Sequence, residues 1–196
     1  MNIIIVSGSI RDNASTRKVA LSLESHLLQH HRIQAEVVNL ADYDYPIWKE
    51  VFEKEADPPE RCVSLYAKLQ SANALIFVTP EYNGSYSLAL KNMVDYFGLK
   101  VFRRKIIGVT AVSTGAMGGI RAGLQLQQLI LAIFAIPVPQ MLLVPNIHHH
   151  FGKDGMVLDA SFEMKVVSFT DEFIWLAEAI EEKQKQMIDA SLNSNS

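Results

Sequence analysis

Between Ser7 and Arg17 the chain reads SGSIRDNASTR, a run of hydroxyl and amide side chains, Ser7, Ser9, Asn13, Ser15 and Thr16, joined by Arg11 and Arg17. Each of these side chains donates hydrogen bonds, and the run lies just ahead of a helical pattern, where free backbone N–H groups favour an anion. Gly8 is its only glycine, so neither G-x-G-x-x-G nor G-x-x-x-x-G-K-[ST] is present. A bridging pyrophosphate needs close backbone approach and therefore glycine. A terminal phosphate monoester, with three oxygens and nearly two charges, suits hydroxyl donors at a helix start. The loop reads as a monoester site. The plainer alternative, compatible with the first, is that Ser15 or Thr16 caps the helix while the arginines stay in water.

Two further stretches carry unusual residues. In VTPEYNGSYSLALKNMVDYF, Val78 to Phe97, Pro80 fixes a turn, Gly84 permits a backbone conformation closed to most residues, and Ser85 or Ser87 is placed to cap the helix that follows. Outward-facing backbone groups on such a turn read a planar heterocycle, with Tyr82 beside the ring. In VSTGAMGGIRAG, Val112 to Gly123, Gly115, Gly118 and Gly119 lead into another helix. Alone, those glycines serve tight helix packing equally well. Together the three stretches make a phosphate pocket beside a flat cleft, the pattern of a flavin mononucleotide (FMN) site.

The elements that must position them are short apolar runs, Ile3–Val6, Ala35–Leu40, Ala74–Thr79, Ile106–Val112 and Gln140–Val144, alternating with helical patterns. Val19, Leu23 and Leu27 recur on one face after the first run, and further helices are predicted over Glu60–Ser71, Leu88–Tyr96, Gly119–Ala135 and Glu163–Met187. Continuous apolar strands joined by helices predict a parallel sheet covered on both faces, a three-layer α/β/α domain. Ligands of such sheets bind outside the carboxyl ends of the strands, which is where the three stretches fall. The chain of 196 residues, 49% hydrophobic and 20% charged, fits one domain over residues 1–187 with a polar, fraying tail at 188–196.

A net charge of −3 argues against nucleic acid or an anionic membrane as partner. No signal-peptide pattern precedes the first strand and no apolar stretch spans a bilayer, so the expected location is the cytoplasm and the expected partner a small molecule. Cys62, the lone cysteine, has no neighbouring histidine and reads as an idle thiol on a helix. His148, His149 and His150 are consecutive, so their side chains diverge and a metal site is not expected there. The aromatic-bearing insertion at 41–60 either joins the substrate pocket or covers the sheet.

GSIRDNASTR, TPEYNGSYSLALKNMVDY and STGAMGG occur in the order and spacing of the NADPH-dependent FMN reductase family, which the chain resembles over nearly its whole length. That family is flavodoxin-like and includes quinone, azo-dye and chromate reductases. The resemblance implies a five-stranded parallel sheet in the order 2-1-3-4-5. It implies Ser9, Arg11, Ser15, Thr16 and Arg17 around the FMN phosphate, Pro80, Glu81, Tyr82, Asn83 and Gly84 beside the isoalloxazine, and Ser113, Thr114, Gly115 and Gly118 at its pyrimidine side. It also implies NADPH or NADH as co-substrate and homodimers, often paired into homotetramers.

The expected activity is hydride transfer from nicotinamide to bound FMN and onward, by a ping-pong mechanism, to a small electron acceptor such as a quinone. The cofactor carries that chemistry, and no catalytic side chain is assigned. A flavodoxin-like electron carrier, or an FMN-binding regulatory module without turnover, is the competing expectation. Self-association is expected through Ser87–Phe102, where Leu88, Leu90, Met93, Val94, Tyr96 and Phe97 spread apolar surface round more of a helix than one sheet contact buries.

Overall fold

The computed structural model describes residues 1–43, 46–152 and 156–193. Its centre is three parallel strands whose β-branched and aromatic residues leave little to solvent: β1 (Asn2–Ser7), β3 (Ala74–Pro80) and β4 (Ile106–Val112). The edge strand β2 (Gln34–Asn39) pairs with β1 in register Ile3↔Ala35. Alternation along β1 divides the interior into two cores, since Ile4 and Val6 face one side and Ile3 and Ile5 the other.

The first core is closed by α2 (Glu60–Ser71), α3 (Leu88–Phe97), α4 (Leu99–Phe102) and α5 (Ile120–Ala132). The second is closed by α1 (Ser15–Leu27) and α7 (Ala160–Asn193), with the short α6 (Ile147–His150) between strand and helix. With β5 at Ile136–Pro137, the strand order is β2-β1-β3-β4-β5, all parallel, so the carboxyl ends of β1, β3 and β4 share one edge. This is the expected flavodoxin-like architecture. Cys62 is fully buried on α2. Among the described residues no helix is long and apolar enough to cross a membrane.

Three expectations are corrected. The fifth strand is two pieces: β5 pairs with Ile106 and Ile107, while β6 (Leu142–Val144) pairs with Thr110 to Val112. Pro137 and Pro139 lack the N–H that a continuous ladder needs, and the chain leaves the sheet between them and Leu142. Next, the last helix starts at Ala160 and continues to Asn193: the Glu, Lys, Gln and Met residues at 181–187 are good helix formers, and no glycine or proline interrupts the chain from there to Asn193. Residues 194–196 of the polar tail lie outside the described residues.

The third correction concerns the apolar helix α3. Of the six side chains expected on a subunit interface only Leu88 is exposed, at 72%, and the other five are buried within the chain. The insertion packs against two of them, Tyr96 and Phe97. Phe52 stacks on Tyr66 at 4.5 Å and meets Tyr96 and Phe97 edge-on at 5.8 and 5.6 Å. Asn92 Nδ2 donates to Pro46 O at 2.8 Å, Trp48 N donates to Asn92 Oδ1 at 2.7 Å, and the Tyr96 hydroxyl donates to Glu55. Burial, then the Glu55 carboxylate, pushes the Tyr96 phenol well above its usual range. The insertion therefore packs on α3, although Asp44 and Tyr45 lie outside the described residues.

Candidate functional site

The loop after β1 ends in a helix start with no side-chain cap. Ala14 occupies the N-cap position of α1, no acidic residue stands in the first turn, and Ser15 and Thr16 are its first helical residues. Neither hydroxyl caps the helix, so its initial N–H groups and positive dipole end remain available to an anion. Asn13 enters the turn in the left-handed region at φ 53°. Ser7 Oγ donates to Thr16 Oγ1 at 3.2 Å in the buried floor of the loop, and Arg11 N donates to Ser9 Oγ at 3.3 Å. A Cβ at Gly8 would sit 2.6 Å from Leu90 Cδ1 and 3.0 Å from Val78 O, so any side chain there would push the Leu90 side chain aside.

The turn after β3 is a tight reversal in which Tyr82 and Ser85 exchange backbone hydrogen bonds of 2.9 and 3.1 Å. Its central residues, Asn83 (φ 52°) and Gly84 (φ 82°), are both left-handed, which is the Asn-Gly signature of a type I′ turn. Their N–H groups donate to nothing among the described residues. Gln125 holds the turn from outside: its Nε2 donates to Gly84 O and its Oε1 accepts from Ser85 Oγ, each at 2.8 Å. Glu81, largely buried, pairs with Arg121 Nη2 at 3.1 Å and faces Ala122 N at 3.5 Å. Ser87 caps α3, accepting from Leu90 N at 3.2 Å and donating to Gly8 O, which ties this turn to the first loop.

After β4, Ser113 Oγ accepts from Gly115 N at 3.0 Å. Gly118 (φ 61°) and Gly119 (φ 81°) are left-handed and also tightly packed: Cβ atoms would meet Leu143 Cβ at 3.1 Å and Ala111 Cβ at 3.0 Å. Packing thus accounts for those two, whereas Gly115 faces open space apart from Ser113 Oγ. Ser113 O and Gly115 O accept from Ile147 N and Asn146 N at 3.2 and 3.3 Å, which hangs α6 on this turn.

These loops enclose a cleft of ≈ 390 Å³ lined by residues 9 and 11–16, 80–82, 112–114, 147 and 148. It brings together Ser9, Arg11, Ser15, Thr16, Pro80, Glu81, Tyr82, Ser113 and Thr114 of the expected set. Tyr82 shares a 2.9 Å hydrogen bond with Ser9 Oγ, and Arg11 Cζ stands 5.9 Å from the Tyr82 ring centre. Asn83, Gly84, Gly115 and Gly118 support the rim rather than line it. Arg17 falls on the far side of the loop, in a second hollow with Lys18, Asn39 and Asp42.

Sequence reading missed Arg121 and Gln125, whose signal was their spacing: two residues four apart in the first turns of the helix after the glycines. It also left His148 without a role, although that side chain lines the cleft. His150 points elsewhere, stacking on Phe162 at 4.5 Å with Nδ1 3.2 Å from Asp159 Oδ2. Hydrogen bonds from Ser161, with a smaller contribution from His150, hold the Asp159 carboxyl below its usual range. Lys153, Asp154 and Gly155, which follow these histidines, lie outside the described residues.

Residues 1–149 match the NADPH-dependent FMN reductase family. The chain is 33% identical over 144 residues to a quinone reductase of Pseudomonas putida, covering 71% of this chain and 74% of that protein. It is 28% identical over 182 residues to an FMN-dependent NADPH-azoreductase of Staphylococcus aureus, covering 87% and 92%. Among solved structures it resembles FerB of Paracoccus denitrificans, a flavoenzyme NAD(P)H:(acceptor) oxidoreductase, with a TM-score of 0.75 over 92% of this chain and 97% of that one; at 24% identity this bears on the fold alone.

Proposed function

The chain belongs to the NADPH-dependent FMN reductase family and is an FMN-dependent NAD(P)H oxidoreductase, and on that premise we propose a ping-pong reductase of quinone-like or azo acceptors whose FMN lies in the cleft between α1 and the Asn83–Gly84 turn. The carrying observation is that the uncapped start of α1, with Ser9, Arg11, Ser15 and Thr16, lines the same cleft as Pro80 to Tyr82 and Ser113. The donor set fits FMN in both chemistry and sign.

When bound, FMN accepts a hydride equivalent from a nicotinamide and returns two electrons to a second acceptor. The first turn of α1, with Ser9, Ser15, Thr16 and Arg11, holds the phosphate monoester by hydrogen bonds and charge. Pro80 to Gly84 flank the ring, with Tyr82 held by Ser9 and the turn held by Gln125. Ser113, Thr114 and Gly115 face the pyrimidine side, where backbone N–H groups near the start of α5 offset negative charge. Arg17 and Gly118 support the site from outside the cleft. A rim made largely of backbone discriminates weakly among acceptors, so tolerance is broad.

Self-association remains part of this proposal, on a surface other than the covered face of α3: Leu131 and Phe134, at the end of α5 and just beyond it, are exposed. Light scattering at micromolar concentration tests for a homodimer or homotetramer, and a monomer rejects it. The test of the site is an equilibrium titration with FMN and FAD. A monoester pocket binds FMN at least tenfold more tightly, and equal affinities contradict it.

A further inference from the structure

Reduction of a quinone-class acceptor by two electrons consumes a proton besides the hydride equivalent, and the cleft wall holds few groups able to give one. Glu81 is occupied by Arg121 and the start of α5, and the Tyr82 hydroxyl shares its hydrogen bond with Ser9. Guanidinium and carboxylate side chains are by type poor proton donors, which sets aside Arg11 and Asp12. The remaining titratable side chain lining the cleft is His148, which is exposed and makes no hydrogen bond or ion pair among the described residues. Histidine exchanges a proton readily near neutral pH.

Its placement is built rather than incidental. Asn146 adopts φ 42° to start α6, whose Ile147 N–H is bound to Ser113 O and whose Asn146 N–H is bound to Gly115 O. At the other end His150 packs against Phe162 beside Asp159. Two neighbouring histidines thus have separate roles: His150 pins the segment to α7, and His148 is presented to the cleft from its Ser113–Thr114 wall.

We propose that His148 is a catalytic residue, whose imidazolium donates the proton that completes reduction of a quinone-class acceptor; this rests on the reductase reading above. The acceptor takes two electrons and one proton as a hydride equivalent derived from NAD(P)H through FMN, which leaves one oxygen as an anion. An imidazolium N–H bond breaks as the O–H bond of the hydroquinone forms, and the neutral imidazole regains its proton from water. The charged and titratable groups around the step are Arg11 and Asp12 from the β1 loop, Glu81 and Tyr82 from the β3 turn, and His149 and His150 on α6 itself.

The test separates proton-requiring from proton-free reoxidation. FMN-loaded wild-type, His148→Ala and His148→Gln proteins are reduced photochemically and mixed anaerobically with benzoquinone or with ferricyanide, which takes electrons without a proton. Both variants are expected to slow benzoquinone reduction at least tenfold, to lose its fall at high pH and, for His148→Ala, to regain rate with added imidazole, while ferricyanide rates change less than twofold. In the oxidised wild type, resorcinol, a phenol that cannot become a quinone, is expected to shift the His148 imidazole signals in NMR. Benzoquinone rates within twofold of wild type, or an equal loss with ferricyanide, overturn the proposal. Failure of NADPH to reduce the flavin overturns instead the reductase reading, since photoreduction tests His148 independently.

Discussion

The two edges of the sheet are treated in opposite ways. At the amino edge, backbone groups are consumed by neighbours: Asn2 N donates to Asn73 Oδ1 at 2.6 Å, Asn73 N to Asn2 O at 2.8 Å, and the terminal ammonium of Met1 to Arg32 O at 2.8 Å. Lys105 Nζ closes the end of α2 by donating to Leu69 O and Gln70 O, and Gln184 Nε2 donates to Arg104 O at 3.2 Å. At the carboxyl edge the start of α1 has no side-chain cap and, among the described residues, the Asn83 and Gly84 N–H groups are unclaimed, although Gln125, Ser87 and Ser113 fix the surrounding backbone. Completed hydrogen bonding stabilises the fold; donors held rigid but unmatched are what a ligand uses.

Substitutions at the two edges should therefore separate stability from FMN affinity. The largest effect on affinity is expected from Arg11→Ala, which removes a charge-assisted contact to the phosphate and should weaken FMN by about 1.5–3 kcal/mol. The apo protein should keep its denaturation midpoint, because Arg11 is exposed. An unchanged FMN titration would place Arg11 in solvent. Gly84→Val comes next: a β-branched residue at φ 82° strains the turn by about 1–3 kcal/mol and displaces the backbone proposed to flank the flavin, so FMN affinity should fall together with thermal stability.

The amino edge should respond in reverse. Asn73→Ala leaves Asn2 N without its partner and should cost about 1 kcal/mol in urea denaturation, with FMN affinity changed less than twofold. A matching loss of FMN affinity would mean that the edges are coupled. The smallest effect is electrostatic. Burial pushes the Lys105 ammonium down to about 8. The folded state then releases this proton before the unfolded chain does, so stability is lower below pH 8 and rises as pH climbs from 8 toward 10.5. The carbonyls of Leu69 and Gln70 favour the charged form and solvent screens it in part, so the gain is about 1 kcal/mol. Lys105→Met should abolish that slope.

What was legible in the sequence follows from the range of the interactions. The continuous apolar runs of β1, β3 and β4 specified the sheet, and Asn83-Gly84 announced a left-handed turn, because both are local signals. The division of the fifth strand was also written locally, in Pro137 and Pro139, but was overridden by the apolar run beside them. The covering of α3 was not legible: nothing near Phe52 tells that it inserts beside Tyr96 and Phe97, far along the chain. Of the site, most of the residues lining the cleft fall within the three motifs, whereas Gln125 and Arg121 make contacts that exist only once α5 docks, and His148 reaches the cleft only through α6.

The central claim is that the carboxyl edge holds FMN where nicotinamide and acceptor reach it in turn. Anaerobic stopped-flow absorbance tests it most directly: protein loaded with FMN is mixed with NADPH or NADH, and the reduced protein is then mixed with a quinone. The account predicts bleaching of the flavin band much faster than for free FMN and full recovery on adding quinone, with parallel double-reciprocal plots in steady state. Bleaching no faster than for free FMN with either nicotinamide would contradict it.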